Sequence, residues 1–305
     1  MRINDVLYGS IELTDLMKQI IETDEFLRLN NILQMSFAYL DYPGARHTRF
    51  EHSIGAVKSF EMIFRKIFDR LIDRFGLQNL ANDLWHFLRL AMLLHDFGHP
   101  PLSHIVEKAF YYAGYALDHE ELTREKIRES FRRWISEQEA FRSTFENNFS
   151  QLMNTSRANS EQLIEILADI ATGKYSCTGN LQVGRILSIA SRFISGPIDA
   201  DKLDYISRDC YYAGLSVGIE LRLLDSIEYD DTDDNIVLNE EQGITLYASL
   251  LDGRLKLQKL VHDGLKNRLA SFALMEIIAD ILDLRHDPEG LKGELIRMND
   301  LEFYS

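Results

Sequence analysis

Apolar residues recur at helical spacing through most of this chain, and this periodicity restricts the possible fold more than any other feature. A spacing of three to four residues between apolar positions is typical of amphipathic helices. The clearest segments are Ile54–Phe75, Asp83–His95, Glu161–Ile170, Leu181–Ile194, Leu246–Val261 and Leu269–Leu284. Only 5 of the 305 residues are proline, so few positions interrupt such helices. The sequence therefore predicts a mostly α protein.

Two stretches depart from the helical pattern in a specific way. Pro100 and Pro101 predict the end of one helix and the start of another at about Leu102, because proline is tolerated only in the first turn of a helix. Residues 227–247 contain short β-branched runs separated by Asp, Asn and Gly, which predicts a small β-hairpin insertion. We interpret the DDTDD run in that insertion as a solvated turn, since it lacks the spacing of a calcium-binding loop.

A third stretch, from about Arg132 to Ser160, is polar and becomes rich in Asn, Ser and Gln towards its end. We expect a surface excursion there. Because the sequence shows neither an internal repeat nor a low-complexity linker, we treat residues 1–305 as a single domain.

Composition and charge exclude several classes of protein. A content of 46% hydrophobic and 27% charged residues excludes disordered and fibrous chains. The chain has 33 Lys and Arg against 48 Asp and Glu, and the net charge of −15 opposes duplex nucleic acid and anionic membranes. The cysteines Cys177 and Cys210 form no CxxC pair, and no apolar run reaches the roughly 18 residues of a membrane span. We expect a soluble cytoplasmic protein that holds any anionic substrate with a metal ion or a local basic cluster.

Histidines are concentrated in one short region. Of the 9 histidines, four fall within 25 residues: His95, His99, His104 and His119. His95 and Asp96 stand at the end of an apolar helix, where buried charged groups need a partner or a metal ion. Neighbouring helical residues project about 100° apart, so this pair binds one ion only if other helices supply further ligands. Candidates for those ligands are His52 and the acidic residues between Asp199 and Asp209.

Three extended motifs follow one another in the chain. They are YPGARHTRFEHSIG (Tyr42–Gly55), LLHDFGHPPLSH (Leu93–His104) and IDADKLDYISRDCYYAG (Ile198–Gly214). The dipeptide HD has almost no specificity by itself, but the extended forms resemble the HD-domain phosphohydrolases, and among them the deoxynucleoside triphosphate triphosphohydrolase branch. The resemblance covers about residues 40–285 and implies an HD-domain helical bundle.

The resemblance implies a bound divalent metal ion. Its ligands are expected to be His52, His95, Asp96 and Asp201. Asp201 is chosen over Asp199 because it directly precedes Lys202 in the DK-DY pattern, and Asp199 is then a helix N-cap or a neighbour of the ligands. Imidazole and carboxylate ligands accept Mn, Fe, Mg, Zn, Co or Ni, so the metal stays open.

The resemblance also implies a set of nucleotide-binding residues. Arg49, Lys202 and Arg208 are expected to contact phosphate groups, for which arginine has well-matched donors. In the family, a tyrosine at the position of Tyr205 excludes a 2′-hydroxyl group, and an aspartate at the position of Asp209 accepts a hydrogen bond from the 3′-hydroxyl. These two residues are four apart and therefore share one face of a helix.

The remaining motif positions imply proton transfer. His119 is expected to protonate the leaving group and His104 to lie beside the phosphate, while Glu107 would hold the acid–base histidine in its charged form. His99 is expected to orient Asp96 or a bound water molecule. The other histidines are predicted to be surface or packing residues: His47, His86 and His286.

One segment departs from the family pattern. The stretch KLVHDGLKNRLASF lacks the tyrosine that family members place around the sugar and base, and Lys266, Arg268 or His262 are expected to replace it. We expect hydrolysis of deoxynucleoside triphosphates to deoxynucleoside and triphosphate, by a homo-oligomer. Two alternatives stay open: an HD phosphohydrolase acting on another nucleotide or a nucleic-acid end, and a non-catalytic nucleotide-sensing module.

Overall fold

Helices build most of the computed structural model, which describes residues 1–177, 182–216, 224, 226–230 and 235–304. In chain order they are α1 (Asp15–Ile21), α2 (Asp24–Leu27), α3 (Arg49–Phe75), α4 (Ala81–Leu93), α5 (His104–Tyr112), α6 (His119–Glu137), α7 (Glu139–Asn148), α8 (Ser150–Ser156), α9 (Ser160–Ala171), α10 (Gln182–Ile194), α11 (Ala200–Tyr212), α12 (Glu240–Lys256), α13 (Leu265–Arg285), α14 (Pro288–Leu295) and α15 (Asp300–Phe303). The predicted mostly α fold is confirmed. None of the described helices combines the length and the apolar character that a membrane crossing requires.

Helix α3 shows how the sequence sets the bounds of a helix. The Thr48 side chain accepts a hydrogen bond from the backbone N–H of Glu51, whose carboxylate accepts one from the backbone N–H of Thr48. The helix ends at Gly76, where a φ of 64° suits glycine because it has no Cβ atom. Between these ends, Phe60 and Phe64 are fully buried. The apolar face packs against α4, α10 and α11, which places this helix at the centre of the core.

Helices α3 and α11 approach each other closely at Gly55. A Cβ atom at this position would overlap the guanidinium of Arg208 and the carboxylate of Asp204. Glycine therefore provides the space in which these two side chains lie against α3. This approach brings the acidic face of α11 to His52.

The turn between α4 and α5 contains the two prolines, as predicted. Helix α5 begins at His104, two residues later than expected, because Leu102 and Ser103 have positive φ values of 56° and 51°. Such conformations are unfavourable for residues with a Cβ atom and need support from their surroundings. Asp300 supplies it by accepting a hydrogen bond of 2.7 Å from the backbone N–H of Leu102.

The segment from Arg132 to Ser160 lies largely at the surface, as predicted, but it is helical and packs against the core through aromatic residues. Helix α6 continues through Glu137, and α7 and α8 follow it directly. Phe141, Phe145 and Phe149 are buried. Their spacing of four places them on one side of the helical segment, and this aromatic stripe was masked by the polar residues around it.

The β-structure among the described residues consists of two antiparallel hairpins, each with two strands of four residues. They comprise β1 (Arg2–Asp5) with β2 (Gly9–Glu12), and β3 (Ile227–Asp230) with β4 (Asn235–Leu238). The hairpin expected at residues 227–247 is confirmed, but it is shorter than predicted, because α12 begins at Glu240. The solvated turn predicted for the DDTDD run falls on residues 231–234, which lie outside the described residues. The N-terminal hairpin was not predicted, since strands of four residues give little alternation to detect.

Candidate active site

The four predicted metal ligands meet in the core, where α3, the end of α4 and α11 come together. His52 Nε2 lies 3.1 Å from His95 Nε2, 3.5 Å from Asp96 Oδ2 and 3.0 Å from Asp201 Oδ1. His95 Nε2 lies 3.6 Å from Oδ1 of both Asp96 and Asp201. The side chain of Asp201 is 34% exposed, whereas the other three side chains are buried. Solvent therefore reaches the cluster from the side of Asp201.

Hydrogen bonds on the outer side of each imidazole determine which nitrogen faces the cluster. His52 Nδ1 lies 2.8 Å from Asp204 Oδ2, and His95 Nδ1 lies 2.9 Å from the carbonyl oxygen of Met92. Only a protonated Nδ1 can donate to these oxygens, so a neutral imidazole presents an unprotonated Nε2 to the cluster. Two such lone pairs 3.1 Å apart repel each other unless a cation lies against both. The donor set therefore fits a divalent metal ion.

The carboxylates of the cluster also favour a cation electrostatically. Although burial opposes the charged form of His52, hydrogen bonds with Asp201 and Asp204 raise its pKa to about 10. Burial likewise opposes the charge of His95, but Asp96 and Asp201 raise its pKa. The cluster thus stabilises positive charge at the point where the two Nε2 atoms meet.

Asp204 supports His52 from the side away from the cluster; it lies inside the third motif, but the motif had given it no role of its own. Arg208 binds it through Nε to Oδ2 at 2.8 Å and Nη2 to Oδ1 at 2.9 Å, and Nη1 of the same guanidinium lies 2.9 Å from Asp5 Oδ2. Arg208 is fully buried, so the structure leaves it no route to the predicted phosphate contact. It supports Asp204 and, through it, His52. The available signal was the position of Asp204 three residues after Asp201, on the same face of α11.

The other two predicted phosphate-binding cations are engaged with carboxylates. Arg49 Nη1 donates to Asp96 Oδ2 at 2.5 Å and is buried beside the metal cluster. Lys202 Nζ donates to Asp199 Oδ2 at 2.5 Å. Asp199 is the N-cap of α11, as predicted, since its Oδ1 accepts a hydrogen bond from the backbone N–H of Lys202 at 2.7 Å.

Glu107 binds both predicted catalytic histidines at once. Its Oε2 lies 2.5 Å from His104 Nδ1 and its Oε1 lies 2.7 Å from His119 Nδ1. Burial opposes ionisation of Glu107, yet these hydrogen bonds hold its pKa far below the usual range. Burial also opposes the charge of His119, but the hydrogen bond with Glu107 raises its pKa. The structure therefore brings together the three residues for which the motifs imply proton transfer.

His99 lies between this Glu107 group and the His/Asp cluster formed by His52, His95, Asp96 and Asp201. Its ring stacks on that of His119 with centroids 4.4 Å apart and planes inclined by 19°. Its Nε2 lies 3.6 Å from Asp96 Oδ1, which agrees with the expected position beside Asp96. Burial, followed by the charge of Arg49, lowers the pKa of His99 well below its ordinary value. The neutral imidazole of His99 thus lies between the His/Asp cluster and the Glu107 group.

Asp209, which was expected to bind the sugar, is fixed by a histidine that the motif reading had left out. Its Oδ1 lies 2.7 Å from Nε2 of His47, whose buried ring stacks on Tyr212 with centroids 4.5 Å apart. His47 is thus a packing residue, as predicted, and it also orients Asp209. Tyr205 is half-buried on the same helix, and burial, together with Asp201, raises its pKa. The available signal for His47 was its place inside the first motif.

A cleft of about 800 Å³ opens beside the histidine pair. Its polar and cationic lining residues include His104, Lys108, His262, Asn267 and Arg268. The volume suits a ligand of nucleotide size. Of the three residues expected to replace the missing tyrosine, His262 and Arg268 line this cleft, whereas Lys266 pairs with Asp41 at 2.8 Å.

Residues 49–193, which carry His52, His95, Asp96 and the Glu107 group, match the family model described as the HD domain. The chain belongs to the HD-domain family. This match confirms the resemblance drawn from the three motifs. The last predicted ligand, Asp201, follows the matched range in the chain, and the fold brings it back to the HD residues.

Relatives of this HD-domain chain come from distant organisms. An uncharacterized protein of Methanocaldococcus jannaschii is 28% identical over 99% of this chain and 54% of its own length. A deoxynucleoside triphosphate triphosphohydrolase SAMHD1 homolog of Dictyostelium discoideum is 27% identical over 98% of this chain and 53% of its own length. A crystal structure of a hypothetical protein from Aquifex aeolicus has a TM-score of 0.70 and 26% identity, covering 99% of this chain and 69% of that one. The chain spans about half the length of the curated relatives it matches.

Proposed function

We propose that this HD domain is a metal-dependent phosphohydrolase that converts deoxynucleoside triphosphates into deoxynucleoside and triphosphate. The observation that carries the proposal is the arrangement of the His/Asp cluster and the Glu107 group on either side of His99. The SAMHD1 homolog among the relatives supports the substrate class. In this proposal residues 1–305 act as one catalytic domain.

The buried cluster supplies the metal-binding half of the site. The ion would be held by His52, His95, Asp96 and Asp201. A divalent ion bound there would polarise the phosphoryl group and lower the pKa of an attacking water molecule. Although burial opposes ionisation of Asp96, Arg49 holds the pKa of this carboxyl far below its usual range and so keeps it available as a ligand. Asp204 and the Met92 carbonyl oxygen keep both imidazoles in the tautomer that binds metal.

The Glu107 group supplies the proton. His119 uses Nδ1 to bind Glu107, which leaves Nε2 as the atom that donates a proton to the leaving oxygen. Because Glu107 raises the pKa of His119, the imidazolium form persists to higher pH than in a free histidine. His104, on the second oxygen of Glu107, faces the cleft beside the phosphate chain.

The remaining motif residues would bind the substrate. We assign the sugar to Tyr205 and Asp209, with the Asp209 carboxylate oriented by His47. Arg49 and Lys202 are the proposed phosphate contacts, and each would exchange part of its present carboxylate pairing for a phosphate oxygen. Arg208 is not part of this set, because it is buried against Asp204.

The test is to identify the phosphorus product. The purified chain is incubated with Mn or Mg and each deoxynucleoside triphosphate, and the products are resolved by phosphorus NMR. We expect inorganic triphosphate and deoxynucleoside. Release of orthophosphate or pyrophosphate alone would reject the triphosphohydrolase assignment. Ribonucleotides, nucleoside monophosphates and single-stranded DNA ends, assayed in parallel, distinguish the alternative HD phosphohydrolase substrates. Nucleotide binding without turnover under any metal would favour the sensing module.

A further inference from the structure

A second cavity, of about 680 Å³, lies against the loop of residues 97–99 that follows the HD dipeptide. Elements α2, α6 and the segment from residue 296 to residue 302 form its walls. It shares no lining residue with the active-site cleft. No motif and no predicted site residue falls in it.

Two buried cations form the floor of this cavity. Arg28 is 6% exposed, and its guanidinium donates to the carbonyl oxygens of Met298 at 2.8 Å, His99 at 2.9 Å and Phe97 at 3.1 Å. Lys126 is 7% exposed, donates to the carbonyl oxygen of Ile296 at 3.0 Å and lies 5.6 Å from the centre of the Phe97 ring. Both side chains therefore contact the loop of residues 97–99, Arg28 through its carbonyl oxygens and Lys126 through the Phe97 ring.

Both side chains have N–H donors without a hydrogen-bond acceptor among the described residues. Arg28 Nε is buried and has no hydrogen-bond partner among the residues that the structure describes. The Lys126 ammonium has three N–H donors, of which the Ile296 carbonyl oxygen takes one. No carboxylate in the described part of the chain lies within ion-pair distance of Lys126. An unneutralised buried charge is costly, and this cost is highest when a second charge of the same sign lies nearby.

The charges around the cavity form two layers. Burial, followed by the charges of Arg28 and Arg297, lowers the pKa of Lys126 to about 7, and burial lowers the pKa of Arg28 to about 10. The carboxylates of the lining stand nearer to solvent: Asp24, Glu25, Glu129 and Glu302. Glu25 pairs with Arg133 at the rim. The floor therefore holds the charged Arg28 and a Lys126 that is protonated below a pH of about 7, whereas the rim is mixed and acidic. This arrangement favours a small anion over a long polyanion.

We propose that this cavity binds a phosphate-type oxyanion on Arg28 and Lys126, and that the bound anion stabilises the active-site loop at Phe97 and His99. An oxyanion accepts charge-assisted hydrogen bonds from the free donors of both side chains. Arg28 transmits the effect, because the same guanidinium that binds the anion also binds the two loop carbonyl oxygens. The site is independent of the proposed function, since it uses none of the residues assigned to catalysis.

The first experiment measures thermal stability with sodium phosphate against sodium chloride at equal ionic strength. We compare the wild-type chain with Lys126→Met, which removes the charge and keeps the length of the side chain, and with Lys108→Met in the active-site cleft. Phosphate should raise the Tm of the wild type and of Lys108→Met, while its apparent Kd in Lys126→Met rises on the order of tenfold or more. Equal stabilisation of Lys126→Met, or no stabilisation of the wild type, overturns the proposal.

The second experiment needs no variant. Acetic anhydride labels accessible amines, and mass spectrometry compares Lys126 with Lys292, which pairs with Glu125 outside the cavity. Orthophosphate should protect Lys126 several-fold and leave Lys292 unchanged, whereas equal labelling of Lys126 with and without the anion counts against the site. Deoxyadenosine monophosphate, used as a second probe, shows whether a phosphate monoester is also accepted. The same protection should persist in the His95→Ala/Asp96→Ala variant, and its loss there would place the anion in the active site instead.

Discussion

His52 and His95 lie in the buried His/Asp cluster, whereas His104 and His119 lie at the mouth of the cleft. All four nevertheless form a hydrogen bond with an oxygen atom through Nδ1. In the cluster each Nδ1 has its own acceptor, so the two Nε2 atoms converge to 3.1 Å. At the mouth a single carboxylate, Glu107, binds both rings. The side chains are 0% and 8% exposed in the first region and 56% and 26% in the second. Burial and the convergence of Nε2 atoms thus distinguish the proposed metal site from the proposed proton-transfer site, although both are built from histidine.

The largest expected effect comes from removing the converging ligands. His95→Ala/Asp96→Ala should abolish stoichiometric metal binding and lower turnover on the order of 1,000-fold or more, because the remaining ligands cannot hold the ion or activate water. Metal content by mass spectrometry and turnover are measured on the same sample. His286→Ala, at an exposed position that ends α13, is the control and should retain both. Full activity without metal in the double variant would contradict the ligand assignment.

The next largest effect should come from Glu107→Gln, which removes the charge shared by His104 and His119. We expect kcat to fall roughly 100- to 1,000-fold with metal content unchanged. The pKa of folded His119 is raised by Glu107, so its acid form is lost only as pH rises through that higher value. In the variant, the basic limb of the pH–rate profile should move to lower pH. An unchanged limb would show that another group donates the proton.

The same carboxylate gives a matching expectation for stability. The pKa of His119 is higher in the folded chain than the roughly 6.5 of an unfolded one. Its pairing with Glu107 therefore stabilises the fold fully at pH values below the unfolded pKa. This contribution is lost as pH rises through the folded pKa. Denaturant titrations of the wild type and Glu107→Gln should therefore differ more at pH 5 than at pH 9. A difference that is constant with pH would argue against a charged pair.

Asp204→Asn tests the support behind the buried cluster. The amide oxygen in the place of Oδ2 can still accept from His52 Nδ1 and Arg208 Nε, but the negative charge and the bond from Arg208 Nη2 to Oδ1 are lost. Metal affinity should weaken about 10- to 100-fold, while kcat at saturating metal changes little. Calorimetric titration of the metal measures the difference. Asp5→Asn changes the other carboxylate that binds the Arg208 guanidinium and should give a smaller loss of metal affinity. A larger loss from Asp5→Asn than from Asp204→Asn would refute the proposal that Arg208 supports His52 through Asp204.

The smallest effect concerns the packing that brings α11 to α3. Gly55→Ala inserts a methyl group against Arg208 and Asp204 and should destabilise the fold by about 1–3 kcal/mol. Gly293→Ala on α14 is the matched control, since no atom lies within 4 Å of the added Cβ there, and alanine should be neutral or slightly stabilising. Thermal unfolding compares the two. Equal stability of both variants would mean that α11 can shift without cost.

The parts of this molecule that were predictable depend on neighbours in sequence. Apolar periodicity located α3, α4, α9 and α13, because a helix buries residues three and four apart. The motifs located the proposed metal ligands and the Glu107 group, but only by resemblance, since the four proposed ligands lie on α3, on α11 and in the turn after α4 and have no local spacing. The role of Arg208 was missed because it depends on Gly55, a residue far away in the sequence, which lets α11 lie against α3. The stripe of Phe141, Phe145 and Phe149 was local and detectable, and its polar surroundings obscured it.

The turn that carries the active-site histidines is completed by a residue far along the chain. Asp300 accepts hydrogen bonds from the backbone N–H groups of Leu102 and Leu33, and 198 residues separate it from Leu102. On a ribosome, the HD dipeptide and the histidines of the proposed site therefore emerge long before the carboxylate that holds their turn in its unfavourable conformation. The nascent chain contains every residue of the proposed site in advance, but the turn lacks this support until Asp300 has been added.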